Sequence, residues 1–235
     1  MRTKLILLAS TAIGAMALAS PAQAAGPFYV SVMGGANFLQ NDSFHNATST
    51  TASANTLGFR TDTETGWIVG AAVGMHLNQV VNGLRVELEA DYRKNHVKGS
   101  WVSNTGTPTG VSSGALDYDH TTWSVLANAW YDFNVGGGFK PYVGGGIGWA
   151  ETRAKGSYRN SFATNPGFDF SNDGFAWQVG AGINFAVTPT IDVGVGYRYF
   201  KGPSVDIGSD LVANTAGGSI DSNNQSVLLS VTLAM

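Results

Sequence analysis

The segment Leu84–Asn95, LRVELEADYRKN, decides how the rest of the chain is read. Leu84, Val86, Leu88, Ala90 and Tyr92 occupy alternate positions, with Arg85, Glu87, Glu89, Asp91 and Arg93 between them. A period of two belongs to a strand, because successive side chains leave a pleated strand on opposite faces. One face is apolar and the other carries a charge at every position. A soluble sheet would pack the apolar face on a core and turn the charges to water. A transmembrane barrel inverts this, with apolar residues on lipid and charges paired inside a closed lumen.

Seven further segments alternate in the same way: 28–38, 67–78, 121–133, 141–151, 175–185, 190–200 and 225–235. Polar stretches at 40–65, 96–118, 153–173 and 201–223 are long, and the turns at 79–83, 134–139 and 186–189 are short. Long and short connections in strict alternation are the pattern of an outer-membrane barrel, with short periplasmic turns and long exterior loops. Segments of about ten residues suit a tilted membrane crossing. Aromatic residues gather near strand ends (Phe28, Phe38, Trp67, Tyr92, Trp123, Tyr131, Phe133, Trp149, Trp177, Phe185, Tyr197 and Tyr199), as in two interfacial girdles. A soluble eight-stranded barrel of lipocalin type would show polar outward residues on every strand. Here the non-apolar face is mostly glycine, serine and a few charges. The sequence therefore predicts an all-β fold: an eight-stranded antiparallel up-and-down transmembrane β-barrel with four long extracellular loops, placed in the cell outer membrane.

The remaining composition agrees. Arg2 and Lys4, the apolar run 5–18 and the small-residue site Ala22-Gln23-Ala24 predict a secretory signal peptide over 1–24, leaving 25–235 as one barrel domain. The chain has no cysteine, which excludes thiol chemistry. Its formal charge of −3 gives no support for nucleic-acid binding. The 31 glycines suit strands whose backbones approach closely. Gly144, Gly146 and Gly148 would thin the inner wall beside side chains the size of Tyr142 and Trp130. The run VGGGIG is followed by neither Lys-Ser/Thr nor a helix, so it is not a phosphate loop.

An eight-stranded lumen is just wide enough for its own side chains. The predicted interior holds Arg85, Arg93 and Arg198 against Glu87, Glu89, Asp91, Asp132 and Asp192. Buried charges need partners, so these form an expected lumenal charge network in which Glu87 or Glu89 faces Arg198. The network reads first as a structural plug and second as the gate of a narrow, low-conductance pore. His76 points inward, and His45, His96 and His120 fall in loops or at their edges. None of the four precedes a serine by two residues, the spacing seen in lipid A deacylase barrels, so no catalytic site, metal site or cofactor is expected. The loops carry Phe44, Phe59, Arg60, Lys98, Trp101, Tyr158, Arg159 and Phe168 among Ser, Thr, Asn and Gly. Such loops suit contact with lipopolysaccharide, host or phage surface molecules, and equally suit solvated cover with no partner.

The segments ETGWIVGAAVGMHL, GLRVELEADYRKN, KPYVGGGIGWA, the GxGxNF of Gly180–Phe185, and IDVGVGYRYF resemble the small bacterial outer-membrane β-barrel proteins: the barrel domain of outer membrane protein A, the opacity proteins and the related porin-like surface antigens. The resemblance spans nearly all of the chain outside the loops. It implies a monomeric barrel in outer-membrane lipid, inserted by the barrel-assembly machinery. It also implies a role in envelope integrity and surface display, with adhesion through the loops. It identifies the barrel type well and an activity poorly. Two features depart from the family pattern. The final residue is Met235 where an aromatic is usual, and no peptidoglycan-binding domain is expected after the segment 225–235.

Overall fold

In the computed structural model, residues 26–40, 56–104, 111–158, 167–207 and 218–235 are described. The predicted leader and His45 lie outside them. Eleven strands run in chain order: β1 (Phe28–Leu39), β2 (Thr56–Thr63), β3 (Gly66–His76), β4 (Leu84–Asn104), β5 (Val111–Asp132), β6 (Phe139–Tyr158), β7 (Gly167–Ala186), β8 (Ile191–Lys201), β9 (Val205–Ile207), β10 (Gly218–Ile220) and β11 (Asn223–Ala234). Eight close a ring by antiparallel pairing, β1-β3-β4-β5-β6-β7-β8-β11 and back to β1. Closure leaves the ring without an open edge, which a sheet in lipid requires. The Gly136-Gly137-Gly138 turn between β5 and β6 uses positive φ at all three glycines, a region only glycine enters freely.

The ring is not of even height. Strands β1, β3, β8 and β11 have 11 or 12 residues, whereas β4 to β7 have 20 to 22. The expected loops 96–118 and 153–173 are therefore largely strand. The expected loop 40–65 contains β2, which pairs with the upper part of β4 from Thr63↔Val97 to Thr56↔Asn104. The expected loop 201–223 contains the β9–β10 hairpin. About ten residues at roughly 3.4 Å each carry β4 some 30 Å past Lys94.

These extensions have a physical cause visible along one strand. On β4 the odd-numbered side chains are buried without a break from Arg85 to Val97. Up to Asn95 the buried ones are polar, and up to Tyr92 the outward ones are apolar. Above that level the buried residue is Val97, and the outward residues are Lys94, His96 and Lys98. The outward face of β6 turns likewise from Ile147 and Trp149 to Glu151, Arg153 and Lys155, and that of β7 from Val179, Trp177 and Phe175 to Asp173, Ser171 and Asp169. The strand continues while its surroundings change from lipid to water, so the same pleat reverses which face is polar. The reversal follows the upper girdle, where Trp67 meets Tyr92, Trp123 meets Trp149 and Trp177 meets Tyr199 at centroid distances of 5.5, 4.8 and 5.6 Å. The lower girdle holds Tyr131 against Phe133 and Phe139 against Phe185.

Candidate functional site

The lumen is built in layers from inward positions of the ring. At the periplasmic rim, Lys140 pairs with Asp192 at 2.8 Å, and both are partly exposed. Asp192 thus stands at the mouth rather than among the deeper charges, because it lies near the start of β8.

Above it, the Arg85 guanidinium donates from Nε to Asp132 and from Nη1 to Glu87 and to the Tyr29 hydroxyl, the last two at 3.3 Å. It lies 5.0 Å from the Tyr142 ring centroid and under 6 Å from Tyr29 and Trp130. Space for Tyr142 comes from across the wall: a Cβ at Gly182 would stand 2.5 Å from its hydroxyl, and one at Gly196 would meet the same oxygen. Glu87 accepts from Tyr29 Oη at 2.8 Å, Trp130 Nε1 at 2.7 Å and Asn128 Nδ2 at 3.1 Å. Asn128 also donates to Glu89 at 2.9 Å and accepts from Gln178 at 2.9 Å. Both Glu89 oxygens receive Arg198 Nη1, and Glu89 is fully buried. One enclosed polar space beside Arg85, Glu87, Tyr142 and Arg198 measures about 20 Å³, the room of a single water.

Higher up, Arg93 pairs with Asp91 at 3.0 Å and lies 3.5 Å over the Phe200 ring, while Ser124 donates to Asp91 at 2.8 Å. Phe200 shares an apolar layer with Leu126, Ala150 and Ala176. Next comes a neutral layer. Thr122 bonds Thr152 and Ser222, Ser222 accepts from Asn224, and Asn37 ties Asn224, Asn95 and Ser226 together. Leu39, Val97, Tyr118 and Ala154 then close the top with Phe168 against them, and burial pushes the Tyr118 phenol up to about 12. Apart from the rim, three guanidiniums face the three buried carboxylates Glu87, Glu89 and Asp91. That balance is what a low-dielectric interior demands.

Of the sequence-predicted residues, Arg85, Glu87, Glu89 and Arg198 meet in one layer with Asp132 at its edge, Asp91 and Arg93 form a second, and Asp192 joins neither. The neutral partners Tyr29, Asn128, Trp130 and Gln178 carry no charge signal. They occupy inward positions of the same alternation, and only strand neighbourhood brings them to Glu87 and Glu89. His120 is a correction: it is 2 % exposed and points into the lumen from β5, because β5 begins well before it.

Outside the membrane the charges are paired on the outward face. Lys94 meets Asp119 at 2.6 Å, Lys98 meets Glu64, and Arg153 and Lys155 share Asp169. The Arg153 hydrogen bond holds the Asp169 carboxyl below the usual range. At the girdle, the indole N–H of Trp123 donates to Glu151 at 2.8 Å and that of Trp149 to Asp173 at 3.1 Å.

Residues 5–232 match the outer membrane protein beta-barrel domain. The outer membrane protein PagN of Salmonella typhimurium is 29% identical over 116 residues, covering 47% of this chain and 48% of that protein. An uncharacterized protein of Brucella abortus is 26% identical over 145 residues, covering 56% of this chain and 50% of its own length. The chain thus spans about half the length of the curated relatives it matches. Among solved structures, Neisserial surface protein A superimposes with a TM-score of 0.50 at 19% identity, over 91% of this chain and 100% of that one, a likeness of fold. With its closed ring, lipid-facing band and two girdles, the chain belongs to the outer membrane protein β-barrel family and resides in the cell outer membrane.

Proposed function

We propose that this protein is a closed surface barrel that supports envelope integrity and displays its extracellular sheet and loops for adhesion. The supporting observation is the contrast between a filled lumen and a tall exterior. Charged layers and an apolar cap stand in series across the barrel, while β4 to β7 carry a rigid sheet well beyond the girdle. Binding commonly resides on loops held by such a scaffold. The partners we assign are the surrounding lipid and lipopolysaccharide, the barrel-assembly machinery during insertion, and host or phage surface molecules, with the barrel acting as a monomer. The outward cations are neutralised by carboxylates of the chain itself, which argues against a simple basic patch for lipid phosphates. We read the chain as non-enzymatic: among the described residues His96 contacts only carboxylates, and no serine joins it.

A narrow pore is the second reading, favoured by the ionisable lining around Glu87, Glu89 and Arg198. Planar-bilayer recording of refolded protein separates the two. The closed-barrel reading expects silence from the wild type and from Arg198→Ala, because the cap of Leu39, Val97, Tyr118 and Ala154 stays in place. Discrete wild-type steps altered by Arg198→Ala would establish the pore instead. Deleting residues within 105–110 or 159–166 should abolish adhesion while leaving folding intact.

A further inference from the structure

On the outward face of the extracellular sheet, His96 of β4 lies between two carboxylates of β5. Its Nδ1 stands 3.0 Å from Asp119 and its Nε2 stands 3.2 Å from Asp117. A neutral imidazole has one N–H and one lone pair, so it can satisfy only one of these contacts. The other would set a lone pair against a carboxylate oxygen. Only the imidazolium is attracted to both, through a hydrogen bond to Asp119 and an ion-pair contact with Asp117. We propose that His96 is a proton-dependent clasp joining β4 to β5 above the membrane, closed when the ring is protonated and opened on the Asp117 side when it is neutral. The inference concerns how the display sheet is held and does not depend on what the loops bind.

The surrounding charges are consistent with release at Asp117 rather than Asp119. Asp119 keeps Lys94 at 2.6 Å, and Lys155 stands across from it on β6. Asp117 has Ser157 across from it on β6, and its side chain is the most exposed of the set at 59%. Lys98 stands directly across from Asp117 on β4, but its ammonium is hydrogen-bonded to Glu64, with Asp62 across from it on β2. Once the ring proton is lost, Asp117 keeps only this shared cation.

The pH window has two edges. Partial burial raises the Asp119 carboxyl, and the Lys94 and His96 hydrogen bonds more than offset this to leave it low. A carboxylate depressed in the folded state contributes stability above its unfolded value and loses it as pH falls through the folded one. The clasp therefore needs a charged Asp119 carboxylate and a protonated His96 ring together.

Amide hydrogen exchange of full-length protein refolded in phosphatidylcholine vesicles tests this. After correction for the intrinsic rate, residues 97–104 and 111–116 should exchange about threefold more slowly near pH 5 than near pH 8, a change suited to a surface ion pair. Residues 122–130 serve as the reference. His96→Gln should abolish the difference, and His96→Lys, which stays charged, should keep the slow rate at both pH values. Asp117→Asn, which leaves the pairing with Asp119, should also remove it, and serves if a His96 variant fails to fold. Equal wild-type rates at the two pH values, or a difference that persists in His96→Gln or Asp117→Asn, would overturn the clasp.

Discussion

The lower and upper halves of β4 share one strand, one pleat and one burial phase, yet they obey opposite rules. Below Lys94 the outward residues are Val86, Leu88, Ala90 and Tyr92 and the inward ones are ionised. Above it, the outward His96 and Lys98 are polar and the inward Val97 is apolar and fully buried. Nothing in the backbone changes between the two. What changes is the medium outside: acyl chains accept Leu88 and reject a charge, while water does the reverse. Pairing inside the lower half is then obligatory, since the lumenal ions are buried away from bulk water. Pairing on the upper half is a surface matter and correspondingly weak.

Four substitutions probe that contrast. The largest effect is expected for Glu89→Ala, which leaves Arg198 buried without its main partner. Breaking a buried pair costs about 3–5 kcal/mol, and urea unfolding in vesicles should register it. An effect near zero would mean that the lower lumen is as wet as the upper outer face. Next comes Leu88→Arg, at the middle of the lipid-facing band, where a charge costs about 2–4 kcal/mol. Lys98→Leu, at the same outward phase in the upper half, should leave the unfolding midpoint in place. Equal responses would erase the boundary drawn near Lys94. The smallest of the destabilising effects is expected for Gly196→Ala, whose Cβ would meet the Tyr142 hydroxyl inside the lower half. Overpacking there should cost about 1–3 kcal/mol and be relieved by Tyr142→Phe in the double variant.

Much of this was legible beforehand. The alternation of 84–95, the strand count and the pattern of long and short connections identify the barrel, because a lipid-facing sheet must alternate and close. The charge-bearing inward positions were legible too, since period two assigns them to one face. The upper halves of β4 to β7 were not. A rule that looks for apolar residues outside stops a strand at the membrane boundary, at about Asn95, Thr121, Glu151 and Phe175, although the pleat runs on. The signal was present as an exchange of polarity in fixed phase: Asn95, Val97 and Gly99 inward against Lys94, His96 and Lys98 outward. His120 was misplaced for the same reason.

By itself, then, the sequence determined the architecture, the lipid-facing band and the inward face of the charged residues of 84–95, because each follows from local periodicity and the solvent on one face. Tertiary structure alone decided that Arg198 meets Glu89 while Glu87 is held by Tyr29, Asn128 and Trp130, that Asp192 stays at the rim with Lys140, and that His96 lies between Asp117 and Asp119. Those pairings depend on register and on residues from 21 to more than 100 positions apart in the chain. A period of two says which face a side chain joins and nothing about which neighbour it finds there.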